Sequence, residues 1–530
     1  KVSALLSMTQ ASTGKLIKRN LALLLGYKGT KYHGLQISAQ GLPTIQGEIF
    51  NSFYTAGMIS DSNKDDSQKL KWSSSSRTDK GVHTSFCVCS FKLLMDETPQ
   101  YRVSPAEIQR WNTFLPGDIR ILQAFRLSKN ARINNMCTQR EYEYLVPFNV
   151  LNGRPVSELK RLLKAFEGTH RFHNFSGALF REKNQKSCGG EDGAESNGEE
   201  DNADGDGGRK RSADAAGLEA KETRWKGLRA KYHEAFASRD WKWPVTDETR
   251  MNRQEYVRTI YSVEVDDQPI RIKDEIDQAE TDFYVIRLKG VSFAMHQIRK
   301  MVSIVLLILN GLIPEPVLEI ALSSHFLVSV PLAPPEPLIL VGASFWDAKT
   351  ESYKLEVSEE EMQSSRKYKE EHLYPHVAAT LKTKKTYIKD RKSGDKIEEL
   401  PYDNFLSHSA SVVSSGSNGL SWDVLIEESN AWEKLREEIF SEHVKQAKEK
   451  FKDDNLQMNK ELPAGLITAI CVRYRIVPGP KLSLLKRQLF RAVDEKKLTQ
   501  SSGNAYGTRV SYEDVFAYID SNGLMQAEGS

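Results

Sequence analysis

Cysteine is scarce in this chain: Cys87, Cys89, Cys137, Cys188 and Cys471 among 530 residues. The count is odd and shows no zinc-ligand spacing, so a reducing compartment fits. Cys87 and Cys89 alternate with Val88 and read as strand packing. Long apolar runs are also missing. A membrane helix needs about 18 or more apolar residues in succession. The longest candidate, MVSIVLLILNGLI from Met301, falls short and reads as a buried helix, so no membrane partner is expected. A large charge of one sign is absent too: 74 basic and 71 acidic residues leave a net +3. That balance hides segregation. Eight acids lie between Glu191 and Asp206, almost without apolar residues, and the remainder of the chain is correspondingly more basic. A segment of that composition cannot offset the cost of ordering, so 187–212 is expected to be a disordered insertion. The basic cluster GGRKRS that ends it reads either as charge balance or as a nuclear signal. The first twenty residues hold Lys1, Lys15, Lys18 and Arg19 and no acid. They read as a disordered tail or as the remnant of an organellar transit peptide. The chain does not begin with Met, which leaves its natural start open.

What is present is a chain long enough for two to four domains at about 150 residues each. NLALLLGYKGTKYHG reads as a strand ending in a glycine-punctuated turn, and TIQGEIFNSFYTAGM as a helix carrying Ile45, Ile49, Phe50 and Phe53. A short helix and a strand follow in SPAEIQRWNTFLPGDIRILQAFRL. REYEYLVPF is a strand, and PVSELKRLLKAFEGTHRFHNFS a capped helix with Leu159, Leu162, Leu163 and Phe166. VRTIYSVEVDDQPIRI and TDFYVIRLKGVSF read as two strands. MHQIRKMVSIVLLILNG is a helix with Ile298, Met301, Val302, Val305, Leu306 and Leu309 on its apolar face, ending at Gly311, and PLILVGASFWD is a closing strand. Strands and helices mixed without strict βαβ alternation predict an α+β fold. Past residue 350 the composition turns basic and polar. NAWEKLREEIFSEHVKQAKEKF reads as a charged amphipathic helix. ELPAGLITAICVRYRIVPGPKLSLLKRQLFRAV reads as a helical hairpin, with Gly479, Lys481, Leu484 and Arg487 loosely similar to a SAP-type nucleic-acid-binding motif.

One stretch raises a chemical question. In SSSSRTDKGVHTSFCVCSF, Asp79 lies between Arg77 and Lys80 and is followed by Gly81. Asp-Lys-Gly is ordinary turn chemistry, with Asp bonding its own backbone and Gly at positive φ. The same residues also suit a reactive carboxylate, because neighbouring cations favour the charged form needed for nucleophilic attack or electrostatic stabilisation. This segment alone does not choose between the two.

Six segments, in order, are similar to one family. GYKGTKYHGLQ (26–36) resembles the Y-x-G-x-x-Y-x-G-x-Q opening of the tRNA pseudouridine synthase A (TruA-type) family, and SRTDKGVHT its R-T-D-x-G-V-H signature. REYEYLVP, EGTHRFHNFS, SFAMHQIRKMV and APPEPLILVGASF resemble its R-x-Y-x-Y strand, its G-T-H-x-F-x-N-F segment, its F-x-x-x-Q/H-x-x-R helix and its closing strand. The wording is closest to the eukaryotic tRNA pseudouridine synthase 1 branch, and the likeness spans about residues 20–347 apart from the acidic insertion. There are departures. Ser76 stands for the glycine that often precedes R-T-D, Leu35 for a Trp usual in bacterial members, and Pro337 for the glycine before L-x-L, which bears on the shape of the closing strand.

The resemblance implies two ferredoxin-like halves joined into one antiparallel sheet, with helices on one face, an RNA-binding cleft across the other, and a mostly helical C-terminal extension. It implies isomerisation of uridine to pseudouridine, chemistry that needs no cofactor and no metal. It implies Asp79 as the essential carboxylate, acting at C1′ or C2′ of the ribose. It implies Arg299 as a bidentate partner that orients and charges that carboxylate. Tyr142 is implied to stack on the uracil and to assist proton loss from C5; alone it would read as a strand aromatic. Arg77 is implied to help draw the nucleotide from the RNA stack. Lys80 and His83 are candidate phosphate contacts, or solvated surface residues. His170, His173 and His296 are expected to satisfy backbone partners, since no further ligands lie at metal-binding spacing.

On this frame 1–19 is a flexible basic tail, 20–180 and 253–350 are the two halves of the core, and 181–252 is the insertion. Residues 351–430 are expected as a basic and polar linker whose Lys/Arg-rich run from Arg366 to Lys396 contacts RNA, and 431–530 as a helical, RNA-binding extension. The expected partner is tRNA, with mRNA and rRNA as open further targets and the oligomeric state open. The compartment is open between nucleus and an organelle, mitochondrion or chloroplast. The rival reading is a non-catalytic RNA-binding or ribosome-assembly factor on the same fold. An intact Asp79, Tyr142 and Arg299 argue against it.

Overall fold

The computed structural model describes residues 16–177 and 231–450, short interruptions apart. The acidic stretch 187–212, nearly all of the basic tail and the SAP-like hairpin lie outside the described residues. The sheet and the helices packed on it belong to the compact unit that ends at Ile439.

The long apolar runs become strands, and two short polar segments, Ser73–Ser74 and Gly168–Arg171, join them. They are β1 (Ile17–Tyr27), β2 (Ser73–Ser74), β3 (His83–Met95), β4 (Ile119–Arg126), β5 (Gln139–Pro147), β6 (Gly168–Arg171), β7 (Val257–Val265), β8 (Ile270–Lys273), β9 (Glu280–Gly290) and β10 (Leu338–Ser344). Together they form a ten-stranded sheet of order β4-β1-β3-β10-β5-β9-β7-β6, with β2 beside β3 and β8 beside β9. Its pairs are antiparallel except β3 with β10. The α+β reading holds as a mixed fold around a large, mostly antiparallel sheet. The last strand of the core, β10, is inserted at its middle. Across that centre Thr84, Leu340 and Tyr142 stand in register on β3, β10 and β5. Pro337 does not disturb this: β10 starts one residue later, and the Pro337 carbonyl accepts from Leu145 N–H at 3.1 Å, a bond that needs no proline donor.

Two sequence readings change. VRTIYSVEVDDQPIRI is two strands, because Asp266-Asp267-Gln268-Pro269 is a turn, and both arms pair with β9. EGTHRF is not helix. The helix there, α3 (Val156–Lys164), stops before Gly168, which sits at φ +99, and β6 follows.

Helices α1 (Ile45–Thr55), α2 (Pro105–Asn112), α3, α4 (Gln297–Leu309) and α5 (Pro316–Ser323) cover the sheet. Thr44 caps α1 by accepting from Gly47 N–H, and Ser104 caps α2 from Glu107 N–H. In α4, Ile298, Met301, Val302, Ile304, Val305, Leu306, Leu307 and Leu309 are all buried. At about 1.5–3 kcal/mol per buried side chain, burial far outweighs any propensity cost of its β-branched residues.

Residues 351–430 are not a linker. Helices α6 (Glu359–Tyr368) and α7 (Tyr374–Thr383), joined by one π-helical turn, bury Tyr368, Leu373, Tyr374 and Val377 in the main core. A side chain at Gly26 would meet the Tyr368 ring at 2.5 Å, so β1 carries a glycine there to admit it. Composition misled because cations of this segment that lie among the described residues meet carboxylates of the same molecule. Lys369 reaches Glu143 at 2.9 Å, Lys382 reaches Asp274 at 2.7 Å and Lys384 reaches Glu336 at 2.5 Å, all three carboxylates being buried. Arg366 pairs with Glu359 and Lys367 with Glu371. The run expected to touch RNA therefore docks a helical pair onto the sheet. Two further helices, α8 (Pro401–Val413) and α9 (Trp422–Lys450), follow, and Tyr402, Phe405, Leu425 and Trp432 join the same core.

Candidate active site

The Asp79 segment is a turn between β2 and β3, closed by Val82 N–H to the Asp79 carbonyl at 3.2 Å, with Gly81 at φ +81. The GYKGTKYHG segment cradles it. Thr78 bonds Tyr27 Oη at 2.7 Å through its hydroxyl and accepts Leu35 N–H at 3.1 Å through its carbonyl. The Tyr32 carbonyl accepts Gly81 N–H at 3.3 Å. Gly29 and Gly34 permit the approach: a Cβ on the first would lie 2.0 Å from the Val82 carbonyl oxygen, and on the second 2.9 Å from that of Thr78. Two segments about fifty residues apart thus fold as one device. Asp79 is left part-exposed, with Arg77 and Lys80 exposed on either side.

Tyr142, buried on β5, meets this turn from across the sheet. Its Oη lies 2.6 Å from Ser76 Oγ, and its ring stands edge-on to Phe293 at 5.3 Å between centroids. Ser76, the departure from glycine, therefore has a partner: it ties the Asp79 turn to the tyrosine. Burial pushes the Tyr142 phenol up, with the Ser76 bond opposing and the nearby Asp79 charge adding to it, so the group stays neutral and shares a hydrogen bond with the Ser76 hydroxyl. Arg140, two residues earlier on β5, donates to the carbonyls of Ser75, Cys137 and Val291 and pins three segments around the same point.

The third component is the start of α4. His296 sits at φ +66 immediately before the helix, a strained position for a residue with a side chain. Its Nε2 faces Asp79 Oδ2 at 3.8 Å. Gly177 crowds the other side of that ring, since a Cβ there would lie 2.7 Å from His296 Nδ1. Arg299, one turn on, donates its Nε to the Ala333 carbonyl at 2.7 Å. Burial lowers the guanidinium, and the charges of Tyr144, Asp79 and Glu336 oppose that shift. Lys300 is buried beside it and donates to the carbonyls of Asn174 at 3.1 Å and Ser176 at 3.5 Å; burial lowers it to about 8.

The structure thus brings Asp79, Tyr142 and Arg299 to one place, with Arg77 and Lys80 exposed at its edge. Two expectations change. The bidentate Arg299–Asp79 pair is not formed: among the described residues it is the His296 imidazole that comes within 4.0 Å of the carboxylate, while Arg299 acts on Asp79 electrostatically, its Nε taken by a backbone carbonyl. His83 is fully buried at the start of β3 and does not reach a phosphate. Its Nδ1 accepts Gly29 N–H at 3.0 Å, its ring stands edge-on to His376 at 5.3 Å, and burial holds it well below the usual imidazole range. His170 and His173 do bond backbone carbonyls, those of Glu167 and Arg171. His296 and Ser76 are the site residues the sequence reading passed over. Both flank the family-like motifs, but only positive φ and spatial pairing set them apart.

Known proteins are similar to this chain in sequence. The tRNA pseudouridine synthase family model matches residues 245–345, the stretch that runs through β9, α4 and β10. The mouse protein named pseudouridylate synthase 1 homolog is 26% identical over 431 residues, which cover 76% of this chain and 78% of that protein. Its human counterpart is 27% identical over 427 residues, covering 75% and 76%. The tRNA pseudouridine synthase 1 of Yarrowia lipolytica is 37% identical over 149 residues, covering 28% of this chain and 27% of that protein. The chain is thus similar to tRNA pseudouridine synthases over residues 245–345 and, at 26–27% identity, to the two pseudouridylate synthase 1 homologs over about three quarters of its length.

Proposed function

We propose that this protein isomerises uridine to pseudouridine in tRNA, with Asp79 as the acting carboxylate. The observation that carries the reading is the convergence of three distant segments on that residue. The reactive turn, Tyr142 tied to it through Ser76, and the His296–Arg299 helix start meet where the sheet's central strands come into register. The reaction breaks the bond from N1 to C1′, turns the uracil, and joins C5 to C1′; the base returns to the same sugar and no electrons are gained or lost. Asp79 either attacks C1′ or removes a proton at C2′, and both require the carboxylate. The positive fields of His296, when protonated, and Arg299 favour that form. Tyr142, buried and neutral, offers its ring to the uracil face and its hydroxyl, shared with Ser76, to proton movement at C5. Arg77 and Lys80, exposed beside the turn, contact the RNA backbone and compensate the few kcal/mol that extruding a nucleotide costs. Two ferredoxin-like halves meeting at β10 account for a sheet whose centre joins strands from both ends of the chain, with the RNA lying in a cleft across it.

The test is Asp79→Asn. The side chain keeps its shape, so the fold and RNA affinity are expected to stay near wild type, while tritium release from tRNA labelled at uridine C5 falls below detection. Turnover near the wild-type rate would overturn the reading and favour a non-catalytic RNA-binding role.

A further inference from the structure

Beside Arg299 lies a cavity of about 430 Å³, within the ~300–1,000 Å³ range of small-molecule sites. One wall is core: Arg299, Ser329 and the Pro331–Glu336 segment, whose Pro335 ring lies against Gly81 of the Asp79 turn. The other wall is α8, which contributes Asn404, Phe405 and Ser409. This helix is fixed in place. Tyr402 donates its hydroxyl to the Leu145 carbonyl on β5 at 2.7 Å, and Phe405 is buried in the main core.

The polar groups on these walls are unequally satisfied. Glu336 is engaged by Lys384. Asn404 Nδ2 and Ser409 Oγ are buried and, among the described residues, have no hydrogen-bond partner. Ser409 is 1% exposed. Arg299 uses only its Nε, on Ala333. Two side chains on one helix, each with a buried polar atom that costs ~1–3 kcal/mol if left unmet, therefore stand on the wall of the cavity that Arg299 also lines, its guanidinium end without a hydrogen-bond partner among the described residues. An amide N–H, a hydroxyl and a guanidinium suit a compact anion with several acceptor oxygens.

We propose that α8 completes the RNA site, with Asn404 and Ser409 joining Arg299 to hold one backbone phosphate next to the target uridine. This rests on the reading of the protein as an RNA-modifying enzyme. It makes α8, which lies beyond the six family-like motifs, part of substrate positioning.

Asn404→Asp tests it in the full-length protein. The exchange keeps shape and places a carboxylate where the phosphate would lie. Binding of unmodified tRNA is measured alongside tRNAs carrying a single neutral methylphosphonate at successive linkages around the target. In wild type, neutralising one linkage is expected to weaken binding about tenfold, the loss of one charge-assisted contact. In Asn404→Asp the unmodified tRNA is expected to bind at least tenfold more weakly, and the methylphosphonate at that same linkage to restore most of the loss. Ser409→Ala is expected to weaken unmodified tRNA severalfold and to reduce the penalty at that linkage alone. Equal affinities for variant and wild type would overturn the proposal. So would losses indifferent to which linkage is neutralised, which would mark α8 as structural. Isomerisation of unmodified tRNA by wild type is read in parallel. Its absence with linkage coupling intact would remove the functional reading and leave the phosphate site; its presence without coupling would remove only the site.

Discussion

Replacing Gly29 by alanine tests whether the first glycine-punctuated turn of the chain places the reactive one. The new Cβ would sit 2.0 Å from the Val82 carbonyl oxygen and 2.7 Å from its carbon. Ordinary contact between such atoms needs about 3.5 Å, so one backbone must move by more than ~1 Å. The obstructing atoms are backbone and cannot rotate aside. Val82 is three residues past Asp79 and donates to its carbonyl, so the displacement passes directly into the reactive turn. Overpacking of this kind costs about 1–3 kcal/mol. A misplacement of ~1 Å at a reacting group costs on the order of 100-fold in rate. Gly29→Ala is therefore expected to lower the unfolding midpoint by several degrees and to slow single-turnover tritium release by about two orders of magnitude, with RNA binding largely kept. Gly57→Ala is the control. It sits at φ +73, and a Cβ there meets nothing within 4 Å, so about 1 kcal/mol of backbone strain and no loss of activity are expected. Gly29→Ala with activity within twofold of wild type would refute the idea that contact between the two turns positions Asp79.

Lys300 makes stability depend on alkaline pH. Its folded value, lowered by burial to about 8, lies below its unfolded one near 10.4, so between these values the unfolded chain binds more protons. Stability from this group is therefore expected to rise as pH climbs from 8 to 10, by up to roughly 3 kcal/mol. Denaturant titrations at pH 7 and 9.5 are expected to show that rise in wild type and not in Lys300→Met; equal pH responses would contradict it. Ending the chain at residue 350 is expected to give an unstable, poorly soluble protein. It strips the sheet of Tyr368, Leu373, Tyr374 and Val377, at about 1.5–3 kcal/mol each, and takes Lys369 and Lys382 away from Glu143 and Asp274. That sum rivals a domain's ~5–15 kcal/mol net stability. A truncated protein that unfolds cooperatively at the wild-type temperature would show that α6 and α7 are appendages after all.

Local chemistry was legible before any fold was known. The strands, the central helix and the Asp79 turn follow from periodicity and from glycine placement, because the dihedral demands of a turn and the period of a strand are met within a few residues of sequence. The order of family-like motifs also pointed to Asp79, Tyr142 and Arg299. Three features were decided only by tertiary structure, since each depends on partners distant in sequence. His296 faces Asp79 across 217 positions of sequence, and nothing local distinguishes it from a backbone-bonded histidine. His83 lies in the motif itself, yet its role turns on whether that sheet face is covered. The covering elements, α6 and α7, begin near residue 359, and His376 comes from them. The basic run after Arg366 has the composition of an RNA-binding surface, but the buried carboxylates it meets, Glu143, Asp274 and Glu336, are spread over three earlier segments. Composition counts charges, whereas only the folded chain determines whether those charges face solvent or one another.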